Sequence, residues 1–318
     1  MSGPSLKRVK IANGIAAARR AAGGRKVAVY TGAEAPPLER ISTGSFLMDW
    51  TLNGGLARGR LYQYAGRPSS GKSSTALAVC ADVARNGGKA LWMAVEDFDW
   101  TYARAIGVPA DDNFALMQTP EGDALLDVAI DAVRSGLWDV IVVDSIGALK
   151  NFEYAVDKSG GYEKGVGERE RGGLGAMLSE FTKRICCGFN SLAVDEVERL
   201  RILREIRDLE SRKKPPEKAI AKLRESMPDK PSMPVMIVIN QVRAQGLSGG
   251  PQGTDSPGGW ALKHHKAGDV EFWSRNLIWP GGKVEEDDGE WKGRPVEGLL
   301  AREVYVAVTK HKVGVPHR

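Results

Sequence analysis

The run Gly66-Arg67-Pro68-Ser69-Ser70-Gly71-Lys72-Ser73 constrains this chain more than any other stretch. It completes the pattern G-x-x-x-x-G-K-[ST], with the apolar Leu61–Ala65 before it and the helix-compatible Ser74-Thr75-Ala76-Leu77-Ala78-Val79 after it. Strand, loop and helix in that order make a phosphate cradle. The glycines let backbone N–H groups curl around phosphate oxygens, and the helix N-terminus adds a positive partial charge. Lys72 then reaches the β- and γ-phosphates, the Ser73 hydroxyl ligates Mg²⁺, and Ser74 joins the nucleotide-binding set in the first helical turn. An incidental glycine-rich turn would yield this pattern on the order of a few times in a hundred in a chain with 38 glycines. Its flanks lower that figure, and a bound nucleoside triphosphate is the expectation.

Beyond a linker at Ala35-Pro36-Pro37-Leu38, short apolar runs alternate with helical patterns. The runs Leu61–Ala65, Ala90–Val95, Phe114–Met117, Val140–Val143 and Val235–Ile239 are apolar almost throughout, as strands buried on both faces must be. The fold expected is α/β, a mainly parallel twisted sheet flanked by helices. From Val270 to Val308 the pattern turns to strand–turn–strand, with Trp273, Trp279 and Trp291 as core or sheet-face aromatics and Glu285–Gly289 as a solvated tip. The 318 residues allow one large or two modest domains. A net charge of +5 permits an acidic partner, three cysteines at no metal-ligand spacing fit a reducing, cytoplasmic compartment, and no run approaches the roughly 18 apolar residues of a membrane span.

Three of the strands end in polar side chains. Asp144 closes Val140–Val143, where a carboxylate beside a phosphate loop holds Mg²⁺ directly or through water. Ser145 follows it, either at the site or as the cap of the next turn. Glu96 closes Ala90–Val95, where a carboxylate orients and deprotonates an attacking water, the alternative being a solvent-facing loop residue. Gln241 ends Val235–Asn240 and is placed to sense a γ-phosphate or simply to start the loop Val242–Gly259, whose Gly, Ser and Pro content and length mark it as functional. Period two puts Val304, Val306, Val308, Lys310 and Lys312 on one face of a last strand, an odd place for two lysines unless an anion lies nearby.

Residues 1–33 hold no acidic residue, and Leu6–Ala22 reads as a helix with Lys26–Tyr30 as a strand behind it. A basic arm, residues 1–34, that docks on a neighbour or on nucleic acid is expected, with the core at 35–318. Residues 191–230 interrupt the strand–helix alternation. Val194–Lys213 is helical, with Val197, Leu200, Leu203, Ile206 and Leu209 along one side, and Glu217–Ser226 forms a second helix after Pro215-Pro216. Its mixed charge suits a solvent-exposed inserted hairpin better than a phosphate-contacting surface.

From about Arg40 to Pro316 these residues resemble the RecA-type recombinases, bacterial and phage-encoded. The resemblance is carried by Ile41–Ser45, Gly54-Gly55-Leu56, Gly59-Arg60, the phosphate loop, Tyr102–Val108, Asn240–Arg243, Gly258–Lys263 and Lys310-His311-Lys312 in order. It implies ATP and Mg²⁺ as cofactors, Glu96 as catalytic base, Asp144 as the Mg²⁺-associated carboxylate, and Gln241 as γ-phosphate sensor. Asp99 and Tyr102 resemble the adenine-contacting pair. Lys310 and Lys312 resemble a pair that reaches the ATP of the neighbouring subunit, with Lys72 acting in its own. By the same resemblance Gly161–Gly173 and Val242–Gly258 are DNA-binding loops, with Arg169, Arg171 and Arg243 on phosphates and Leu247 as the one large apolar candidate between Ala244 and Pro257. The implied protein polymerises on single-stranded DNA, takes up homologous duplex DNA and self-associates as a helical filament through the arm, with Val27 and Val29 docking on the adjacent copy. A ring helicase and an ATP-clamped assembly protein are the alternatives. The chain is expected to lack the family's C-terminal domain.

Overall fold

Successive residues of a strand face opposite sides of a sheet, so strands covered on both sides must be apolar in both registers. The computed structural model describes residues 30–32, 35–95, 97–119, 121–149, 173–212, 215–241, 259–278, 284–286 and 301–313, with positions 14, 17 and 18 near the start. The elements are β1 (Arg40–Ile41), α1 (Phe46–Thr51), β2 (Leu56–Ala57), β3 (Arg60–Gly66), α2 (Lys72–Arg85), β4 (Ala90–Ala94), α3 (Trp100–Ile106), β5 (Phe114–Gln118) and α4 (Gly122–Ser135). They continue with β6 (Val140–Asp144), α5 (Gly173–Glu210), α6 (Glu217–Ser226), β7 (Val235–Gln241), α7 (Gly259–His265), β8 (Gly268–Ile278), β9 (Val284–Glu286) and β10 (Ala301–His311).

The main sheet runs β10-β8-β3-β7-β6-β4-β5, with β9 on β8. The five strands expected from the apolar runs are its parallel centre, β8 extends it in parallel beside β3, and β10 and β9 run antiparallel to β8. The fold is therefore α/β, as the alternation implies. Each central strand sends alternate residues to two clusters. Tyr62, Trp92, Val142 and Ile237 pack under α1, α2 and α3, while Leu61, Leu91, Ile141 and Met236 pack under α4, α5 and α7. Trp273 stacks on Tyr305 across β8 and β10, ring centroids 6.5 Å apart, the sheet-face role expected of it.

The inserted hairpin begins differently from the sequence expectation. Its first helix is the outer half of α5, continuous from Gly173, with no new start near Val194. Extending an existing helix needs no new nucleus, and no proline lies between 173 and 210 to stop it. Leu178, Phe181, Ile185, Phe189 and Leu192 anchor the inner half in the core. Farther out, Ile202 and Ile206 bury against Ile220 of α6, so Ile202 takes the buried place the stripe gave to Leu203. Arg199 pairs with Glu196 and Arg201 with Glu198 along α5, and Arg224 of α6 reaches Glu210. The arm residues Val27 and Val29 lie outside the described residues, as does Val242–Gly258. Among the described residues no helix is long and apolar enough to cross a membrane.

Candidate active site

Parallel strands finish at the same edge, and β3, β6 and β7 bring their polar ends together there. Gly66, the end of β3, is paired with Gln241, the half-buried end of β7, and Asp144 ends β6 on the far side of β7. The loop between Gly66 and Lys72 needs both of its terminal glycines. A Cβ on Gly66 would lie 2.3 Å from the Phe272 carbonyl oxygen of β8, and 2.7 Å from Ser70 Oγ. Gly71 caps α2 at φ +91°, a left-handed geometry that costs an ordinary residue about 1–2 kcal/mol.

The loop folds around Lys72. That side chain is buried, and its Nζ donates to the Arg67 carbonyl at 2.6 Å and to Ser70 Oγ at 3.4 Å. Ser73 Oγ donates to Asp144 Oδ2 at 2.8 Å, joining the first turn of α2 to the end of β6. A hydroxyl and a carboxylate side by side are hard oxygen donors of the kind Mg²⁺ prefers. The cradle that a Cβ would fill, the enclosed lysine and this oxygen pair all fit a triphosphate with its magnesium ion. Arg67, Pro68 and Ser69 are exposed on the loop's outer side, and Ser69 adopts φ +58°. Ser145 is buried, and its carbonyl accepts from the Ala148 N–H in the turn after β6.

Ser74 Oγ lies 2.5 Å from the Tyr102 hydroxyl, which ties α2 to α3 and leaves the tyrosine ring 47% exposed beside the loop. Asp99 has a local task that the sequence reading did not foresee. Its carboxylate accepts the Tyr102 backbone N–H at 3.0 Å and caps α3. Cap and tyrosine therefore move as one unit. Glu96, Arg169, Arg171, Arg243 and Leu247 lie outside the described residues.

Lys310 and Lys312 are not on the valine face, which corrects the period-two expectation. Val306 and Val308 pair with the buried Phe272 and Val270, but the register then slips, and Lys310 pairs with Asp269. Thr309 is the extra residue of a β-bulge, and one extra residue turns the remainder of the strand to the opposite face. There Lys310 Nζ donates to the Lys263 carbonyl and Lys312 Nζ to the His264 carbonyl, both at the C-terminal end of α7. Cations on terminal carbonyls are favoured by the helix dipole. Burial first, then the charges of Lys312 and Lys266, hold the Lys310 ammonium below the usual lysine range.

The pair also stands far from its own loop. Asp269 is level with Gln63 of β3, and the Lys312 N–H bonds Ala267, whose own N–H bonds Leu61. At about 3.3 Å per residue, these positions are roughly 10 and 16 Å short of Gly66 along the strands. Arg40 fixes the tail beyond them, donating to the carbonyls of Leu52, Gly55 and Val313. Sequence reading also missed Lys266, a buried cation paired with Asp269, which in turn accepts from Gln63 Nε2 at 3.2 Å. Its only signal was the i,i+3 spacing of opposite charges between α7 and β8.

A phosphate loop, a serine–carboxylate pair and a strand-end amide at the carboxyl edge of a mainly parallel sheet define a P-loop nucleotide-binding core. Residues 10–167 match the RecA N-terminal domain family. Protein RecA of Nostoc punctiforme is 42% identical over 113 residues, 35% of this chain and 31% of that one. Protein RecA of Rhodospirillum rubrum is 44% identical over 114 residues, 35% of this chain and 31% of that one. The matched stretch spans about a third of the length of these relatives. Among solved structures, a KaiC-like protein from Pyrococcus horikoshii aligns with a TM-score of 0.48 at 12% identity, over 87% of this chain and 90% of that one. The chain carries a RecA-type core, and the resemblance to RecA-type recombinases read from its motifs is borne out.

Proposed function

We propose that this chain is a recombinase that hydrolyses ATP in a DNA-stimulated reaction, polymerises as a helical filament on single-stranded DNA, and pairs and exchanges strands with homologous duplex DNA. Its setting would be the cytoplasm of a bacterium or a phage-infected host. One observation carries the reading. Lys310 and Lys312 sit toward the opposite end of the sheet from Lys72 of the same chain, out of reach of its phosphate loop. They can serve a triphosphate only when another copy presents it, and the RecA-type core supports that arrangement.

The residues divide the work. Lys72 and the loop N–H groups of Gly66–Ser74 bind the phosphates, and Tyr102, held by Ser74 and by the Asp99 cap, offers its ring to the adenine. Ser73 and Asp144 would hold Mg²⁺, which supplies charge neutralisation at the phosphate oxygens. Glu96 takes the proton of the attacking water, and Gln241 reports the γ-phosphate to the loop it begins. Lys310 and Lys312 stabilise the charge that develops on the phosphate of the neighbouring copy. Arg169, Arg171, Arg243 and Leu247 contact the DNA strand.

Phosphate release with and without single-stranded DNA tests this directly, beside electron microscopy with a slowly hydrolysed ATP analogue. Open helical filaments and DNA-stimulated turnover are expected. Lys72→Ala should lose ATP-dependent DNA binding, and Glu96→Gln should keep filaments while losing turnover. Closed rings, or equal turnover with and without DNA, would refute the proposal.

A further inference from the structure

At the end of the sheet away from the phosphate loop, between the start of β3, the inner half of α5 and the end of α7, lies a cavity of about 410 Å³. Its polar lining is Arg60, Asn190, His265, Lys312 and Cys186, and no carboxylate is among its lining residues. The Arg60 guanidinium donates to the Gly59 carbonyl at 2.9 Å, and the Lys312 ammonium to the His264 carbonyl. Among the described residues neither forms an ion pair, whereas nearby cations do. Arg58 pairs with Glu39 and Asp139, Lys230 with Glu39, and Lys266 with Asp269. A carbonyl satisfies a donor but leaves the positive charge whole. Cys186 Sγ lies 3.6 Å from His265 Nδ1, which pins α5 to α7 and fixes the pocket wall.

Two uncompensated cations converging on a cavity with an imidazole and an amide make an anion site. Arg60 begins β3 and Gly66 ends it, a separation of six residues or roughly 20 Å, so the anion is not the phosphate on the same chain's loop. A chain with a phosphate-binding end and a cationic end at opposite poles of one sheet is complementary to itself head to tail. We propose that this pocket receives the terminal phosphate of the nucleoside triphosphate bound by a second copy, with Arg60 as a catalytic residue in trans beside Lys312. His265 and Asn190 complete the donors around the phosphate oxygens. The planar fork of Arg60 can engage two oxygens at once, which a lysine cannot. The inference rests on the assembled reading above and adds Arg60, His265 and Asn190 to the site.

The test mixes two disabled proteins. Arg60→Ala keeps an intact loop with a damaged pocket, and Lys72→Ala keeps an intact pocket with a damaged loop. Each alone should hydrolyse ATP at least tenfold more slowly than wild type, while dilute Arg60→Ala binds a fluorescent ATP analogue normally. An equimolar mixture should recover toward about a quarter of the wild-type rate, the share of head-to-tail junctions that unite an intact loop with an intact pocket. Arg60→Gln, of similar bulk, serves if the alanine variant melts early. Wild-type turnover by Arg60→Ala, or no recovery on mixing of two proteins that still assemble, overturns the inference alone. A pocket that instead takes a DNA phosphodiester would make Arg60→Ala lose nucleotide-free DNA binding with no recovery on mixing, and that also overturns it. Wild-type turnover per molecule that does not rise with protein concentration would instead overturn the assembled reading itself.

Discussion

Inserting one alanine between Thr309 and Lys310 should silence the proposed ATP turnover without touching a single charged residue. The added residue takes the place level with Asp269 and moves the rest of β10 on by one, so each later side chain turns to the other face of the sheet. Lys310 and Lys312 would then face the α2 side, and His311 would take their place beside α7. Two lysine contacts to the α7 carbonyls would be lost, at about 0.3–1 kcal/mol each. The Arg40 bond to the Val313 carbonyl, now displaced by one residue, adds about 1 kcal/mol. A total near 2 kcal/mol corresponds to a melting temperature lower by roughly 3 °C, which leaves the protein folded at room temperature. ATP turnover in the assembled state should fall at least a hundredfold, in keeping with the roughly 10³–10⁵ that a cation supplied in trans contributes to phosphoryl transfer. Thr309→Ala, which keeps the bulge, should retain both stability and turnover. Phosphate release and thermal melting of the two variants decide the matter. An insertion variant that hydrolyses within about threefold of wild type would show that the register of β10 does not aim the lysines at anything that matters for turnover.

Asp139 offers a pH signature. Burial would raise its pKa, but the Lys89 N–H, the Ser232 hydroxyl and the Arg58 guanidinium outweigh burial and hold it below the usual carboxylate value. The stability it adds is complete above its unfolded pKa near ~4 and is lost as pH falls through the lower folded value. Asp139→Asn should therefore melt earlier at neutral pH and show a shallower loss of stability in acid, and parallel acid limbs for the two proteins would contradict this. Gly66→Ala should fail to bind nucleotide even if folded, because its Cβ would collide with the Phe272 carbonyl, and titration with a fluorescent ATP analogue checks it. In the same titration, with the Tyr102 ring stacking on the base as proposed, Tyr102→Phe should bind within about threefold of wild type and Tyr102→Ala roughly tenfold more weakly. Equal affinity in the alanine variant would remove Tyr102 from the adenine site.

What could be read in advance was whatever lies close in sequence or repeats with a fixed period. The loop Gly66–Ser73 is contiguous, and the parallel strands advertise themselves because both of their registers are apolar, as with Ile141 and Val142. Asp144 was legible for the same reason, a charge at the end of such a run. Features that depend on one residue more or less were not. The bulge at Thr309 leaves no compositional trace, yet it decides which face Lys310 occupies. Asp99 looked like a ligand contact, but its first structural role is to cap α3, a choice set by the approach of the Tyr102 N–H. The boundary of α5 was misread because an apolar stripe records burial and does not record where a helix begins. The cationic pocket was invisible, since Arg60, Asn190, His265 and Lys312 converge from four distant stretches of chain.

The way the long helix departs from the body has an engineering consequence. A Cβ on Gly136 would touch Leu192 and Pro231 alike at 3.4 Å, and the Ser232 N–H bonds the Gly136 carbonyl. Exit and return points thus share one doorway, although 38 residues pass between them and bury their own small apolar centre outside. A short turn joining the two sides of that doorway should close the body without strain, making the appendage removable, or exchangeable for a foreign module, while the sheet stays as it is.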